Sequence, residues 1–304
     1  MQQILKFSYL LIVILVGQSC QPAHPQRIAY ETPDSQSFIT DWKEFLAQSP
    51  KIDSFKTLKT GLVKVPTKGM LNKRKLPIDH PFGSFIWVEV YAHLFHHQKY
   101  GWFLIDTGLD QSFQQKGNVK GIMAGKFIKD SQQAKGENIG AQLDKEQKEI
   151  QGIFITHLHG DHTAGLPELD RSIPKYVGKG ESHIQLPLLY HSEHLSNRDT
   201  LLEIDWEQGM KIAPFDSVVD IFGDASFFAI HTPGHSNSHL SYLMMSSEGP
   251  VLLTGDASHT KYGFVNEIEP GWVQDRNLAF QSLMQLKTFA TNHPSVKIIY
   301  GHER

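Results

Sequence analysis

At 304 residues the chain is long enough to bury a sizeable core, in one large domain or two small ones. Its 40% hydrophobic and 20% charged content is that of a globular protein, and a formal charge of -3 lacks the basic excess that marks nucleic-acid binders. One cysteine excludes an intrachain disulfide and a multi-thiolate zinc site, while 17 histidines make metal and pH dependence worth expecting.

Met1 to Lys6 carries one charged side chain, and Phe7 to Val16 is nearly all apolar, followed by Gly17-Gln18-Ser19-Cys20. The run is shorter than the ~20 residues a bilayer span takes and fits the h-region of a secretory signal. A lone Cys just after it, with Ser19 before, resembles a bacterial lipoprotein signal cleaved ahead of Cys20, with lipid on the sulfur. Gly17 and Gln18 depart from the Leu and small residue usual there, so a plain signal peptide and an uncleaved anchor are the alternatives. The expectation is export to the cell envelope, as a lipid-anchored periplasmic or outer-membrane protein. Residues 1–20 are then the signal, 21–60 a tether and N-terminal extension, and 61–304 one folded domain.

Gln21 to Ser37 is polar and holds Pro22, Pro25 and Pro33, as a tether does. Asp41 to Leu46 has weak helical character and could pack on the domain's edge. From Gly61 the chain turns β-like, and Phe85 to Tyr91 and Tyr100 to Ile105 mix aromatic and β-branched residues as strands do. His93, His96 and His97 between them read as surface residues of a hairpin. Phe113 to Lys135 reads as a loop over a site. Ile139, Leu143 and Ile150 fall at roughly helical spacing among charges, predicting an amphipathic helix. The apolar run Ile153-Phe154-Ile155 is a strand, and Thr163 to Leu169 begins a further helix. The polar segment bearing His183, His191 and His194 could be loop or helix. Short strands then recur at Ser217 to Phe222, Ser226 to His231, His239 to Met245 and Val251 to Thr254. Leu278, Leu283, Leu286 and Phe289 predict a late helix, and Val296 to Tyr300 a last strand. This order predicts a mixed sheet core covered by helices.

Directly after Ile153-Phe154-Ile155 comes Thr156-His157-Leu158-His159-Gly160-Asp161-His162. Imidazole and carboxylate are the ligands preferred by Zn²⁺ and its neighbours. His157 and His159 project the same way if the extended geometry persists, and Asp161 and His162 follow where the chain turns. One turn can thus serve two adjacent ions; the bland alternative is a histidine-rich surface loop. Further candidates each close a strand-like run: His235 in Thr232-Pro233-Gly234-His235, Asp256 in Thr254-Gly255-Asp256, and His302 in Gly301-His302. Side chains at the ends of neighbouring strands can converge on one sheet edge.

These motifs, in this order and with Ile105-Asp106-Thr107-Gly108 upstream, resemble those of the metallo-β-lactamase superfamily over roughly Gly61 to Arg304. The resemblance implies a mixed α/β (α+β) fold, an αββα sandwich of two mixed sheets with metals at one edge. It implies that His157, His159 and His235 hold one Zn²⁺ or similar ion, that Asp161, His162 and His302 hold a second, and that Asp256 bridges them. Asp106 would support the site from behind.

Position 159 is His and not Glu, unlike the diiron oxygen reductases of that superfamily. Asp256 stands where one group of true β-lactamases has Cys. The resemblance is therefore to lactonases, glyoxalase II-like thioesterases and phosphodiesterases. In acyl-homoserine lactonases Asp-x-x-Tyr stands where this chain has Asp256-Ala257-Ser258-His259, a departure at the residue that would contact the substrate carbonyl. Two ions would lower the pKa of a shared water, and the resulting hydroxide would attack an ester or lactone carbonyl. Asp161 would orient it. His259 would donate a hydrogen bond to the oxyanion or leaving group, or instead fix a ligand from behind. A β-lactamase, thioesterase or phosphodiesterase activity is the alternative on the same site. A non-catalytic zinc-binding lipoprotein is the alternative of another class.

Overall fold

The computed structural model describes residues 23–33, 39–115, 128–186, 190–191 and 194–303. The signal-like run, Cys20 and positions 116–127 of the loop expected over the site lie outside them. In chain order the elements are β1 (Gln26–Ala29), α1 (Trp42–Leu46), β2 (Ile52–Pro66), α2 (Thr67–Met70), β3 (Phe85–His97), β4 (Gly101–Ile105), β5 (Asp130–Gln132) and α3 (Ile139–Glu146). Then come β6 (Ile150–Phe154), α4 (Gly160–Thr163), β7 (Lys175–Gly178), β8 (Ile184–Leu186), β9 (Tyr190–His191), β10 (Thr200–Ile204), β11 (Met210–Ile212) and β12 (Phe215–Asp220). The chain closes with β13 (Phe227–His231), β14 (Leu240–Ser246), β15 (Gly249–Leu253), α5 (Lys261–Val265), α6 (Arg276–Asn292) and β16 (Lys297–Ile299).

Successive side chains of a strand point to opposite faces, and here both faces are apolar. On β4, Phe103 and Ile105 enter a central core while Leu104 enters an outer one with Ile139 and Leu143 of α3. On β13 and β14, Phe227, Ala229, Tyr242 and Met244 enter the same central core; Phe228, Ile230, Leu243 and Met245 face Leu283, Leu286 and Phe289 of α6. The layers therefore run helix, sheet, sheet, helix, the expected αββα arrangement. The strands follow one hydrogen-bonded path, β1-β10-β7-β6-β4-β3-β2-β14-β13-β12-β11, with β15 on β14, β16 on β15 and β5 on β2. Parallel and antiparallel pairs are mixed. Along this path the two halves are joined where β2 pairs with β14, at Ile52↔Ser246. Among the described residues no helix is long and apolar enough to cross a membrane.

Several expectations shift. The folded unit begins upstream of Gly61: β1 pairs in parallel with β10, and β2 starts at Ile52. Within the supposed extension, Trp42 is 2% exposed and meets Phe45, Phe215, Phe228 and Phe289 edge to face, while its Nε1 donates to the Ala213 carbonyl at 2.8 Å. A large aromatic so enclosed leaves a cavity when truncated. Trp42→Ala is expected to cost about 3–5 kcal/mol, read as a lower urea midpoint; an unchanged midpoint would show α1 to be an appendage.

His93 and His97 are buried, contrary to the surface reading, because β3 runs on through His97. His97 packs against Tyr100 and Phe222 with Nε2 3.2 Å from Asp224 Oδ2, and His93 stacks on Phe55. His96, partly exposed beside Asp53, fits that reading. The helix expected from Thr163 is cut short: α4 ends there and only a 3₁₀ turn, Leu166–Glu168, follows. Leu278, expected on the apolar face of the late helix, is exposed at its first turn, where Asp275 accepts from the Asn277 and Leu278 N–H groups.

Candidate metal centre

Strands β4 and β6 are parallel neighbours with Ile105 beside Phe154, so Asp106 and Thr156 leave the sheet at nearly the same level. Asp106 adopts φ 55°, a left-handed conformation that Asp tolerates better than most residues. From there its carboxylate accepts from the Thr156 N–H at 2.8 Å and from Thr156 Oγ1 at 2.9 Å, and meets His162 Nδ1 at 2.8 Å. This pins the histidine turn at both ends and leaves His162 Nε2 facing inward. The His157 and His159 rings lie 4.3 Å apart, centroid to centroid.

The other groups arrive from strand ends at the same edge. His235 follows β13 in a turn whose Gly234, at φ 123°, lies so close to α6 that a Cβ would sit 2.0 Å from the Ala279 nitrogen. Asp256 sits in a turn after β15, and His302 just past β16, which pairs in parallel with β15. Gly301 has to be glycine for a related reason: a Cβ there would come within 2.5 Å of Asp256 Oδ1.

The result is a cluster with two sides. Asp256 Oδ2 faces His235 Nε2 at 3.3 Å and His157 Nε2 at 3.7 Å; His235 Nε2 is also 2.9 Å from His159 Nδ1. Asp256 Oδ1 faces His162 Nε2 and His302 Nε2, each at 3.4 Å, and His302 Nε2 is 3.4 Å from Asp161 Oδ2. His157, His159, His235 and Asp256 form one group whose donor atoms lie within 4.8 Å of each other; Asp161, His162 and His302 form another. His157 Nε2, His162 Nε2 and Asp256 Oδ1 are buried without a hydrogen-bond partner. Buried polar atoms normally have one. Inward-facing, unpaired imidazole nitrogens around a shared carboxylate are the donor set of divalent first-row ions, so the residues fit a two-ion centre.

The electrostatics agree. Burial, then the neighbouring imidazoles, hold His157 well below the ordinary range, and burial pushes His159 down to about 4 and His235 well below normal. These rings are thus kept neutral, the form in which imidazole binds a metal. Burial alone would lower His162 and His302 too, but Asp256 and its fellow carboxylates outweigh it and raise both. Burial would raise Asp256, yet His259, His302, His162 and His235 together hold it well below the carboxylate range.

Sequence reasoning missed two supports. His239 Nε2 accepts from the Asp256 N–H at 2.9 Å, while its Nδ1 meets Thr232 Oγ1. Glu181, 1% exposed, ties two ligand loops together: it accepts from the Leu158 N–H, and from Ser236 Oγ and the Ser238 N–H at 2.8 and 3.0 Å. The short spacing of His235 and His239 around one turn was a signal for the first; a lone acid after β7 gave none for the second. His259, expected either to donate to the substrate or to fix a ligand from behind, is 3% exposed with Nε2 3.1 Å from Asp256 Oδ2. Of the loop expected over the site, the described parts hold the end of a 3₁₀ turn, Gln111–Gln114, and β5.

The sequence pattern of the metallo-beta-lactamase superfamily matches residues 87–302. Among curated proteins, an N-acyl homoserine lactonase of Bacillus sp. is 28% identical over 231 residues, 73% of this chain and 84% of the relative. N-acyl homoserine lactonase AiiA of Bacillus thuringiensis subsp. kurstaki is 27% identical over the same share. A hydroxyacylglutathione hydrolase of Marinomonas sp. is 36% identical, but over 36% of this chain and 34% of its own length. The fold is similar to that of a B. thuringiensis AiiA variant solved with N-decanoyl-L-homoserine at its active site, with TM-score 0.65 and 22% identity over 83% of this chain and 94% of that one. It is also similar to AidC, a dizinc quorum-quenching lactonase, with TM-score 0.52 and 15% identity over 84% and 90%.

Proposed function

Because this chain belongs to the metallo-beta-lactamase superfamily, we propose that it is a dizinc hydrolase that opens the ester ring of acyl-homoserine lactones or closely related lactones. The observation that carries the reading is the Asp256 carboxylate, whose two oxygens each face a separate set of imidazoles. The lactonase relatives, aligned over most of their own length, favour lactones over thioesters, for which the similar stretch is short. Two ions, when bound, supply a water of near-neutral pKa and a Lewis acid for the carbonyl.

The protein's part is placement. Asp161, its side chain 23% exposed, is the one ligand carboxylate with solvent access, and orients the attacking water. Asp106 braces the histidine turn and Glu181 ties it to the His235 turn, so the donors need little reorganisation. The N-terminal sequence supports export, with lipid on Cys20 holding the enzyme at the cell envelope.

The test is acid release from acyl-homoserine lactones and simple γ-lactones by Zn²⁺-loaded protein. Turnover is expected, lost on chelation and restored by Zn²⁺. Two ions bound per chain with no lactone opened would overturn the lactonase reading and move the search to thioesters, β-lactams and phosphodiesters.

A further inference from the structure

The surroundings of His259 fix its tautomer. Nδ1 lies 2.9 Å from the Met70 carbonyl oxygen, which can only accept, so Nδ1 carries a proton. In the neutral ring Nε2 is then a bare lone pair. It points at Asp256 Oδ2, a second acceptor, 3.1 Å away. Two acceptors cannot share a hydrogen bond, so the contact requires either a second proton on the ring or a cation that both atoms bind.

The build of the neighbouring rings decides between these. His302 puts Nδ1 2.8 Å from the Glu89 carbonyl oxygen and aims Nε2 at Asp256 Oδ1. His162 puts Nδ1 on Asp106 and aims Nε2 at the same oxygen. His259 repeats this plan on the other side of the carboxylate: the outer N–H is tied to a fixed acceptor and the inner nitrogen turns toward Asp256. An outer-shell acceptor that orients the ring in this way is the usual setting of a metal-binding imidazole. The donor atoms of Asp256, His259 and His302 also lie within 4.8 Å of one another. The backbone reinforces the placement, since the His302 N–H donates to the His259 carbonyl at 2.9 Å.

We propose that His259 Nε2 is an additional metal donor of this centre, grouped with Asp256 and His302, and not a hydrogen-bond donor to substrate. The proposal rests on the reading of the cluster as a two-ion centre. With its one N–H committed to Met70, the ring has none left to offer a substrate carbonyl. It instead fills a coordination position with protein, where the lactonase pattern has a Tyr.

The test uses full-length protein loaded with Co²⁺, which shifts the exchangeable N–H protons of bound imidazoles far outside the ordinary proton spectrum. Relative to wild type, His259→Gln is expected to lose one such resonance and to release one ion to chelator more readily, by about 10–100-fold. An unchanged set of shifted N–H resonances with Co²⁺ still bound would overturn the assignment and leave His259 an imidazolium paired with Asp256. Should the variant not fold, ring ¹⁵N shifts of Zn²⁺-loaded wild type decide: a metal-bound, unprotonated Nε2 supports the proposal and a protonated one sinks it. Failure of the wild type to bind Co²⁺ or Zn²⁺ would remove the metal-centre reading itself, and this assignment with it.

Discussion

Asp256→Asn is expected to reduce lactone turnover by on the order of 10³-fold or more, about 4 kcal/mol of lost transition-state stabilisation, and to strip metal from the protein. The replacement keeps the shape and removes the charge. In the wild type, each Asp256 oxygen serves one side of the donor cluster, and only Asp161 adds a second carboxylate to a set otherwise made of imidazoles. Asn offers one acceptor oxygen, and its amide group would face two imidazole nitrogens on the other side. The turn itself should persist, because the backbone N–H at 256 still donates to His239 Nε2. Metal content, kcat/KM and far-UV circular dichroism measured together separate the effects. A folded variant that retains two ions and acts within tenfold of wild type would contradict the bridging role.

Asp106→Ala should produce the largest loss of stability around the site. Its carboxylate serves the Thr156 N–H, Thr156 Oγ1 and His162 Nδ1, all in the interior. Each buried donor left unsatisfied costs about 1–3 kcal/mol, and placing Ala at φ 55° adds backbone strain. A total of about 3–5 kcal/mol is expected in urea unfolding, with metal affinity down about 10–100-fold because His162 loses the partner that orients it. Asp106→Asn separates the two contributions, since Asn tolerates the backbone conformation but cannot accept on both oxygens. If the Ala variant matched wild type in both unfolding midpoint and metal retention, Asp106 would be only a turn residue.

The histidine turn, Asp256 and His302 could be read from the sequence because each motif is local and each closes an apolar run. The αββα layering is implied by the resemblance, and the order of elements by itself indicates no more than a mixed sheet core covered by helices. The misreadings concern contacts distant along the chain. Trp42 looked peripheral in a short, weak helix, and only its partners Phe215, Phe228 and Phe289 make it core. His97 looked exposed because Phe222 and Asp224, which enclose it, lie far downstream. Glu181 could not be found, because an acid becomes a clamp only when Leu158, Ser236 and Ser238 are folded around it. Its burial raises its pKa, and these hydrogen bonds reduce that shift without cancelling it.

The two halves of the sheet pack on one central core and share one strand pairing, at Ile52↔Ser246, and the donor set is divided between them. His157, His159, Asp161 and His162 follow a strand of the first half; His235, Asp256 and His302 follow strands of the second. Ions held by donors of both halves would therefore add cross-links to a seam that the backbone already joins at Ser247–Ile52, Leu240–Thr156 and Glu89–His302. Free energy of ion binding becomes free energy of folding, about 2.7 kcal/mol when free ion exceeds its dissociation constant a hundredfold. With ions bound, the working lifetime of the folded chain would thus be tied to how much divalent metal its surroundings hold.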